Sequence, residues 1–156
     1  MSEMPFGEYP FKPGEKQPMH LTKNKLKPFI YTEAFLESSD LNWLVVSTEH
    51  MTVGIYQLAP GSTFDPVDIH AGDEVYYILK GTVTMMNPRL GQVEEVHCGE
   101  CILMPMGAPH KAYNFTQEEA RILFVIAPKI WDDGPPLEFT EVFNIYKAKE
   151  RRNGYE

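Results

Sequence analysis

The sequence predicts an all-β fold, a sandwich or barrel of short strands. Three observations lead there. Short β-like runs recur from Phe29 to Ala127, and Gly/Pro/Asn turn signals separate them. No helical pattern of about 10–15 residues lies between them, as a parallel α/β sheet would require.

Taken in order, the first 28 residues are rich in Pro, Lys and Gly and show no period. They read as an N-terminal arm that, if ordered, packs on another subunit. The candidate strands are Asn42–Ser47, Thr52–Leu58, Val75–Leu79, Thr82–Met86, Glu94–His97, Ile102–Met104, Lys111–Phe115 and Arg121–Ala127. Turns are expected at Ala59–Ser62, Lys80–Gly81, Asn87–Gly91, Cys98–Gly99 and Met106–Pro109. Trp131–Pro136 then breaks the strand pattern. Leu137–Arg152 places Phe139, Val142, Phe143 and Tyr146 at helix-like intervals and ends in basic residues, which suit a helix C-terminus. A short C-terminal helix packed on the barrel is expected, an extra edge strand being the competing reading. The expected organisation is an arm at 1–28, a β-barrel at 29–130 and a tail at 131–156.

The bulk numbers agree with one domain. The chain has 156 residues, of which 43% are hydrophobic, enough to bury a core. A formal charge of −8 argues against nucleic acid and anionic membranes as partners. No segment approaches the roughly 18 apolar residues of a membrane helix. The N-terminus lacks the basic and apolar regions of a signal peptide. The two cysteines, Cys98 and Cys101, make no disulfide framework, so the reducing cytoplasm is the expected compartment.

Two segments concentrate the chemistry. In V-D-I-H-A-G-D-E-V-Y-Y-I-L-K-G, from Val67 to Gly81, Asp68 and His70 are two apart and face together if extended. Glu74 follows a turn and shares a face with Tyr76 and Ile78. In G-E-C-I-L-M-P-M-G-A-P-H-K-A-Y-N, from Gly99 to Asn114, His110 opens a strand and shares a face with Ala112 and Asn114. Taken singly, Asp68 reads as a turn acid and each histidine as a core residue with ordinary hydrogen bonds.

Together the two segments resemble the two motifs of the cupin superfamily. The second matches at Gly99, Pro105, Gly107, His110 and Asn114, and the first at Gly61, His70, Glu74 and Gly81. The resemblance covers roughly Val53 to Pro128. The first motif departs from the family in two ways. Asp68-Ile69-His70 stands where the family usually has His-x-His, and one extra residue follows Gly61. Counting back from His70 keeps the same-face spacing and lands on Asp68.

The resemblance implies a cupin double-stranded β-helix, a jelly-roll barrel, and a homodimer. It implies a divalent transition metal held by Asp68, His70, Glu74 and His110; without Asp68 a three-residue site remains. Two imidazoles and two carboxylates suit Zn, Mn or Fe, with Ni and Co also compatible. Two carboxylates cancel the charge of a divalent ion, which makes it a weaker Lewis acid and a poorer anion binder. The function expected is a metal-dependent enzyme on a small oxygenated metabolite, with lyase, isomerase or hydrolase chemistry at a carbonyl, enol or carboxylate. The alternatives are an Fe(II)-dependent dioxygenase and a non-enzymatic small-molecule-binding cupin.

Further residues admit two readings. Tyr76, Tyr56, Tyr113, Met85, Met104 and Phe124 are cavity liners or plain core, with Tyr76 the candidate catalytic acid. Arg89, Arg121 and Lys129 are anion anchors or surface cations. Cys98 and Cys101, with His97 beside them, have dithiol spacing, yet Gly99 already belongs to the second motif. His20 and His50 read as surface residues, and Trp131 as a cap on the barrel mouth.

Overall fold

The computed structural model describes residues 8–10, 16–30, 41–63, 67–128 and 130. Its strands are β1 (Lys27–Ile30), β2 (Leu41–Ser47), β3 (Thr52–Leu58), β4 (Asp73–Lys80), β5 (Thr82–Asn87), β6 (Gln92–His97), β7 (Cys101–Met104), β8 (Lys111–Tyr113) and β9 (Ala120–Ala127). A single 3-10 turn, Lys23–Lys25, precedes β1 among the described residues. No helix among them is long and apolar enough to cross a membrane.

The strands form two sheets, both antiparallel throughout. One has six strands in the order β1-β2-β3-β9-β4-β7, the other three in the order β6-β5-β8. The chain leaves the larger sheet between β4 and β5 and returns between β6 and β7. At the first crossing Gly81 adopts φ 73°, and a Cβ there would sit 2.7 Å from the Glu119 carbonyl oxygen, so glycine is required. The Gly81 carbonyl accepts from the Cys98 amide (3.0 Å), tying the two crossings together. This is the jelly-roll, double-stranded β-helix expected from the sequence.

Alternation places the core. Leu58 and Tyr56 of β3, Ile78 and Tyr76 of β4, Val83 and Met85 of β5, and Ile122 and Phe124 of β9 are all buried between the sheets. Registers bring Tyr56 opposite Ile122 and Tyr76 opposite Phe124, so one apolar wall runs across three adjacent strands. Each fully buried aliphatic side chain contributes about 1.5–3 kcal/mol of transfer free energy.

Some expectations need correction. The sequence assigns Lys27 and Pro28 to the arm, yet Lys27–Ile30 pairs with β2 from Lys27↔Leu44 to Ile30↔Leu41. A four-residue run containing Pro28 has no strand pattern of its own; its partner supplies the hydrogen bonds. Strand β4 starts at Asp73 and ends at Lys80, beyond both ends of the expected Val75–Leu79. Strand β8 stops at Tyr113, because the Asn114 amide turns to the Ser62 carbonyl and Phe115 is exposed. Tyr113 is not a cavity residue. It lies opposite in sense to buried Ala112, stacked on Phe115 under the Lys111 ammonium. The C-terminal helix, Lys129 and Trp131 lie outside the described residues.

Candidate metal centre

The four motif residues arrive from three places in the fold. Asp68 and His110 form an isolated antiparallel bridge, each amide donating to the other's carbonyl (2.8 and 3.0 Å). His70 follows Asp68, and its carbonyl accepts from the Gly107 amide (3.1 Å). Glu74 enters from β4, opposite Met104 of β7 and Ile126 of β9. The turn acid Asp73 points away, its carboxylate accepting from the Met106 amide (2.8 Å). It thereby clips the Pro105–Pro109 loop onto the start of β4.

All four residues are buried, at 6% exposure for Asp68, 8% for His70, 3% for Glu74 and 4% for His110. Asp68, His70 and His110 each present a ligand atom, and these atoms lie within 4.8 Å of one another. Glu74 is not a member of that group but touches two of its residues: its Oε2 stands 2.8 Å from His70 Nε2 and 2.9 Å from His110 Nε2. These contacts are short but misaligned as hydrogen bonds, so that neither Glu74 Oε2 nor His110 Nε2 has a hydrogen-bond partner among the described residues. Two imidazoles thus converge as ion pairs on one buried carboxylate oxygen without an aligned hydrogen bond, an arrangement that a shared cation could replace.

The donor set fits a divalent ion. Ligands bonded at about 2.0–2.2 Å in right-angled positions stand about 3 Å apart, close to the separations at Glu74 Oε2. The Nδ1 of His110 faces the Ala108 carbonyl at 2.9 Å. A carbonyl only accepts, so Nδ1 carries the proton and Nε2 offers its lone pair inward, as in carbonyl-oriented metal histidines.

Charge follows the same geometry. Burial alone would push the Glu74 carboxyl up; the His70 and His110 imidazoles outweigh it and hold Glu74 down at about 2. Burial alone would push His110 down; the Glu74 and Asp68 carboxylates and the Ala108 carbonyl raise it to about 9. The metal-free centre is thus an ion pair within the barrel.

Beside it, Tyr76 sits edge-on to His110 at 6.3 Å and to Tyr56 at 5.4 Å between ring centroids. Burial first, then the neighbouring Glu74 carboxylate, pushes its phenol well above the ordinary range. Tyr76 therefore remains a proton donor and cannot serve as a base near neutrality.

The remaining candidates fall elsewhere. Tyr56 and Phe124 are core, and Met85 and Met104 are buried residues that also line a cavity reaching His110. Arg121 is exposed, reaching Gln57 and Glu119 and lying over the Trp43 ring. Arg89 is on the surface, as are His20 and His50, the latter paired with Glu49. Cys98 and Cys101 are free and exposed at the β6–β7 turn. The sequence alone does not single out Asn87, Gln92 and Glu94 as site residues. The period-two register with Met85 on β5 is the available signal, and it puts Glu94 opposite Met85 and Gln92 opposite Asn87.

A family model described as Cupin domain matches residues 54–126. That match, just under half of the chain, identifies residues 54–126 as a cupin domain. Among solved cupin-like structures, a Thermus thermophilus protein is 27% identical, with 71% of this chain and 90% of that one covered at TM-score 0.50. A predicted oxalate decarboxylase from Thermotoga maritima is 20% identical, over 70% of this chain and 98% of that one, at TM-score 0.60. The polyketide cyclase RemF from Streptomyces resistomycificus is 18% identical, over 86% of this chain and 94% of that one, at TM-score 0.62. The last two show the fold alone. No curated protein matches the chain.

Proposed function

We propose that this cupin is a metal-dependent enzyme acting on a small oxygenated metabolite, with lyase-, isomerase- or hydrolase-type chemistry at a carbonyl, enol or carboxylate. The observation that carries the reading is the convergence of His70 Nε2 and His110 Nε2 on a Glu74 Oε2 that lacks an aligned hydrogen bond, beside buried Asp68.

His70, Glu74 and His110 would hold a Zn, Mn or Fe ion, with Asp68 as the fourth ligand. Such an ion supplies Lewis acidity, stabilising negative charge that develops on a substrate oxygen. Glu74 is ionised at every working pH and fixes both imidazoles by charge. His110 is locked by the Ala108 carbonyl, which keeps its Nε2 directed at the centre. The barrel wall of Tyr56, Phe124 and Met104 excludes water and strengthens each electrostatic contact. Tyr76, kept protonated by its raised pKa, offers its phenolic hydrogen as a hydrogen bond to negative charge developing on the substrate rather than transferring it. Expected companions are a small-molecule substrate and a second copy of the chain, in a reducing compartment suited to two free thiols.

The structural neighbours carry names from this chemistry, a predicted decarboxylase and a cyclase. The test is turnover of small 2-oxo acids, 1,3-dicarbonyls and enols by purified protein under nitrogen and in air. Metal-dependent turnover under nitrogen supports the proposal. Turnover that consumes oxygen indicates the Fe(II) dioxygenase instead. No turnover of any candidate, with unaltered ligand binding in His110→Ala, indicates a binding protein.

A further inference from the structure

A cavity of about 90 Å³ opens from the centre toward the rim between the two sheets, with His110 in its wall. Its inner part is apolar. Buried Met85 of β5 and Met104 of β7 line it, with Ile102 and buried Pro109. Met104 pairs with Glu74, so this wall begins beside the metal centre. A cavity of about 150 Å³ encloses a benzene ring, so this one takes a short chain or the inner part of a ring whose remainder lies at the open rim.

The outer end breaks the apolar pattern. On the inner face of the β5–β6 pair the register runs Val83↔Val96, Met85↔Glu94, Asn87↔Gln92. The first pair is buried core, and the next positions toward the rim bring in half-buried Asn87 and the exposed Gln92 and Glu94, all of which line the cavity. Two acceptor atoms stay outside the hydrogen bonds these residues make with one another. Gln92 Nε2 donates to Glu94 Oε1 (3.2 Å), which leaves Glu94 Oε2 and the Gln92 carbonyl. Asn87 Oδ1 is taken by the Arg89 and Leu90 amides (3.1 and 3.3 Å). A carboxylate next to a methionine-lined slot, in a chain of net charge −8, favours a cation.

We propose that this cavity is a substrate subsite for an apolar ring or short chain ending in a protonated amine, with Glu94 selecting the amine and Met85 and Met104 holding the apolar body. The subsite rests on the functional reading above, since it places the substrate's oxygenated end at His110.

The test uses the purified protein with 13C-methyl-labelled methionine and two probes, benzylamine and benzyl alcohol, titrated by NMR. The expected result is that benzylamine shifts the Met85 and Met104 methyl signals with a Kd roughly five-fold below that of benzyl alcohol, the upper end for an exposed charge contact such as Glu94 offers. In Glu94→Gln the two probes should bind within about two-fold of each other while the same methyl signals still move. Equal affinity of both probes for the wild type overturns the proposal, as does an amine preference that survives in Glu94→Gln. Methyl signals unmoved by either probe also overturn it. Metal content measured on the same samples separates the two claims. A metal-loaded protein without amine preference removes the subsite alone, and a metal-free protein with full amine preference removes the metal reading alone.

Discussion

Asp68 and His110 exchange both of their backbone hydrogen bonds, at 2.8 and 3.0 Å. That reciprocal pair is the closely spaced rung of an antiparallel ladder, and it fixes the spacing and facing of the two residues. The first motif is thereby fastened to the second at the centre. Asp68 is held here by its backbone whatever its side chain, so position 68 presents any residue to His70 and His110.

Asp68→Asn should therefore fold normally and lose metal affinity by at least about ten-fold, because an anionic donor is lost without a backbone change. Asp68→His should keep the ion and raise the centre's charge by one. Isothermal titration with Zn²⁺ or Mn²⁺ checks both. An unchanged affinity in Asp68→Asn would remove Asp68 from the ligand set.

The pH dependence of the metal-free protein follows from two opposed shifts. His110 is raised from 6.5 to about 9, so its contribution is fully present below 6.5 and is lost as pH rises through 9. Glu74 is lowered from 4.5 to about 2, so its contribution is present above 4.5 and is lost as pH falls through 2. Metal-free Tm should then be highest between about 4.5 and 6.5. At pH 7 His110 is protonated, so loading an ion should release about one proton. Calorimetry in buffers of different ionisation enthalpy reads it, and metal uptake without proton release would refute the assignment.

Gly72 lies in the turn between His70 and Glu74. A Cβ there would meet the Ala127 carbonyl oxygen at 2.3 Å and its carbon at 2.5 Å, both backbone atoms of the β9 end. The Ala71 amide is also bound nearby, to the Ile130 carbonyl at 2.9 Å. Gly72→Ala must push the turn off β9, so it should cost about 1–3 kcal/mol and weaken metal binding together. A Tm equal to wild type would contradict the close packing.

Asn114 should behave in the opposite way. Fully buried, it donates to the Leu58 and Glu118 carbonyls (3.1 and 2.7 Å) and accepts from the Thr116 amide and hydroxyl (3.0 and 2.8 Å). Asn114→Ala leaves these groups unpaired and should cost about 2–4 kcal/mol in chemical denaturation. The folded fraction should retain its ion, because Asn114 joins loops rather than touching the centre. Loss of metal from fully folded Asn114→Ala would show otherwise.

Period-two spacing makes much of this legible. It groups Glu74 with Tyr76 and Ile78, and His110 with Ala112 and Asn114, and all six residues are buried. It cannot reveal the Asp68–His110 bridge, which joins distant segments outside any long strand. Strand β1 is hidden because Lys27-Pro28-Phe29-Ile30 has no period, its order coming from β2. Tyr113 looks like core because it is an aromatic residue in a strand, yet parity with Ala112 puts it outside. The placing of Glu94 and Gln92 at the cavity rim needs the β5–β6 register, since a Gln-Val-Glu-Glu run exposed throughout does not say which side meets the cavity.

The central claim is that Glu74, His70 and His110, with Asp68, hold one divalent ion. Elemental analysis of protein purified without added metal, beside His110→Ala, tests it most directly. The account predicts about one transition-metal ion per wild-type chain and a loss of at least about ten-fold in the folded variant. Wild-type protein that carries no ion and takes none up on reconstitution would contradict it.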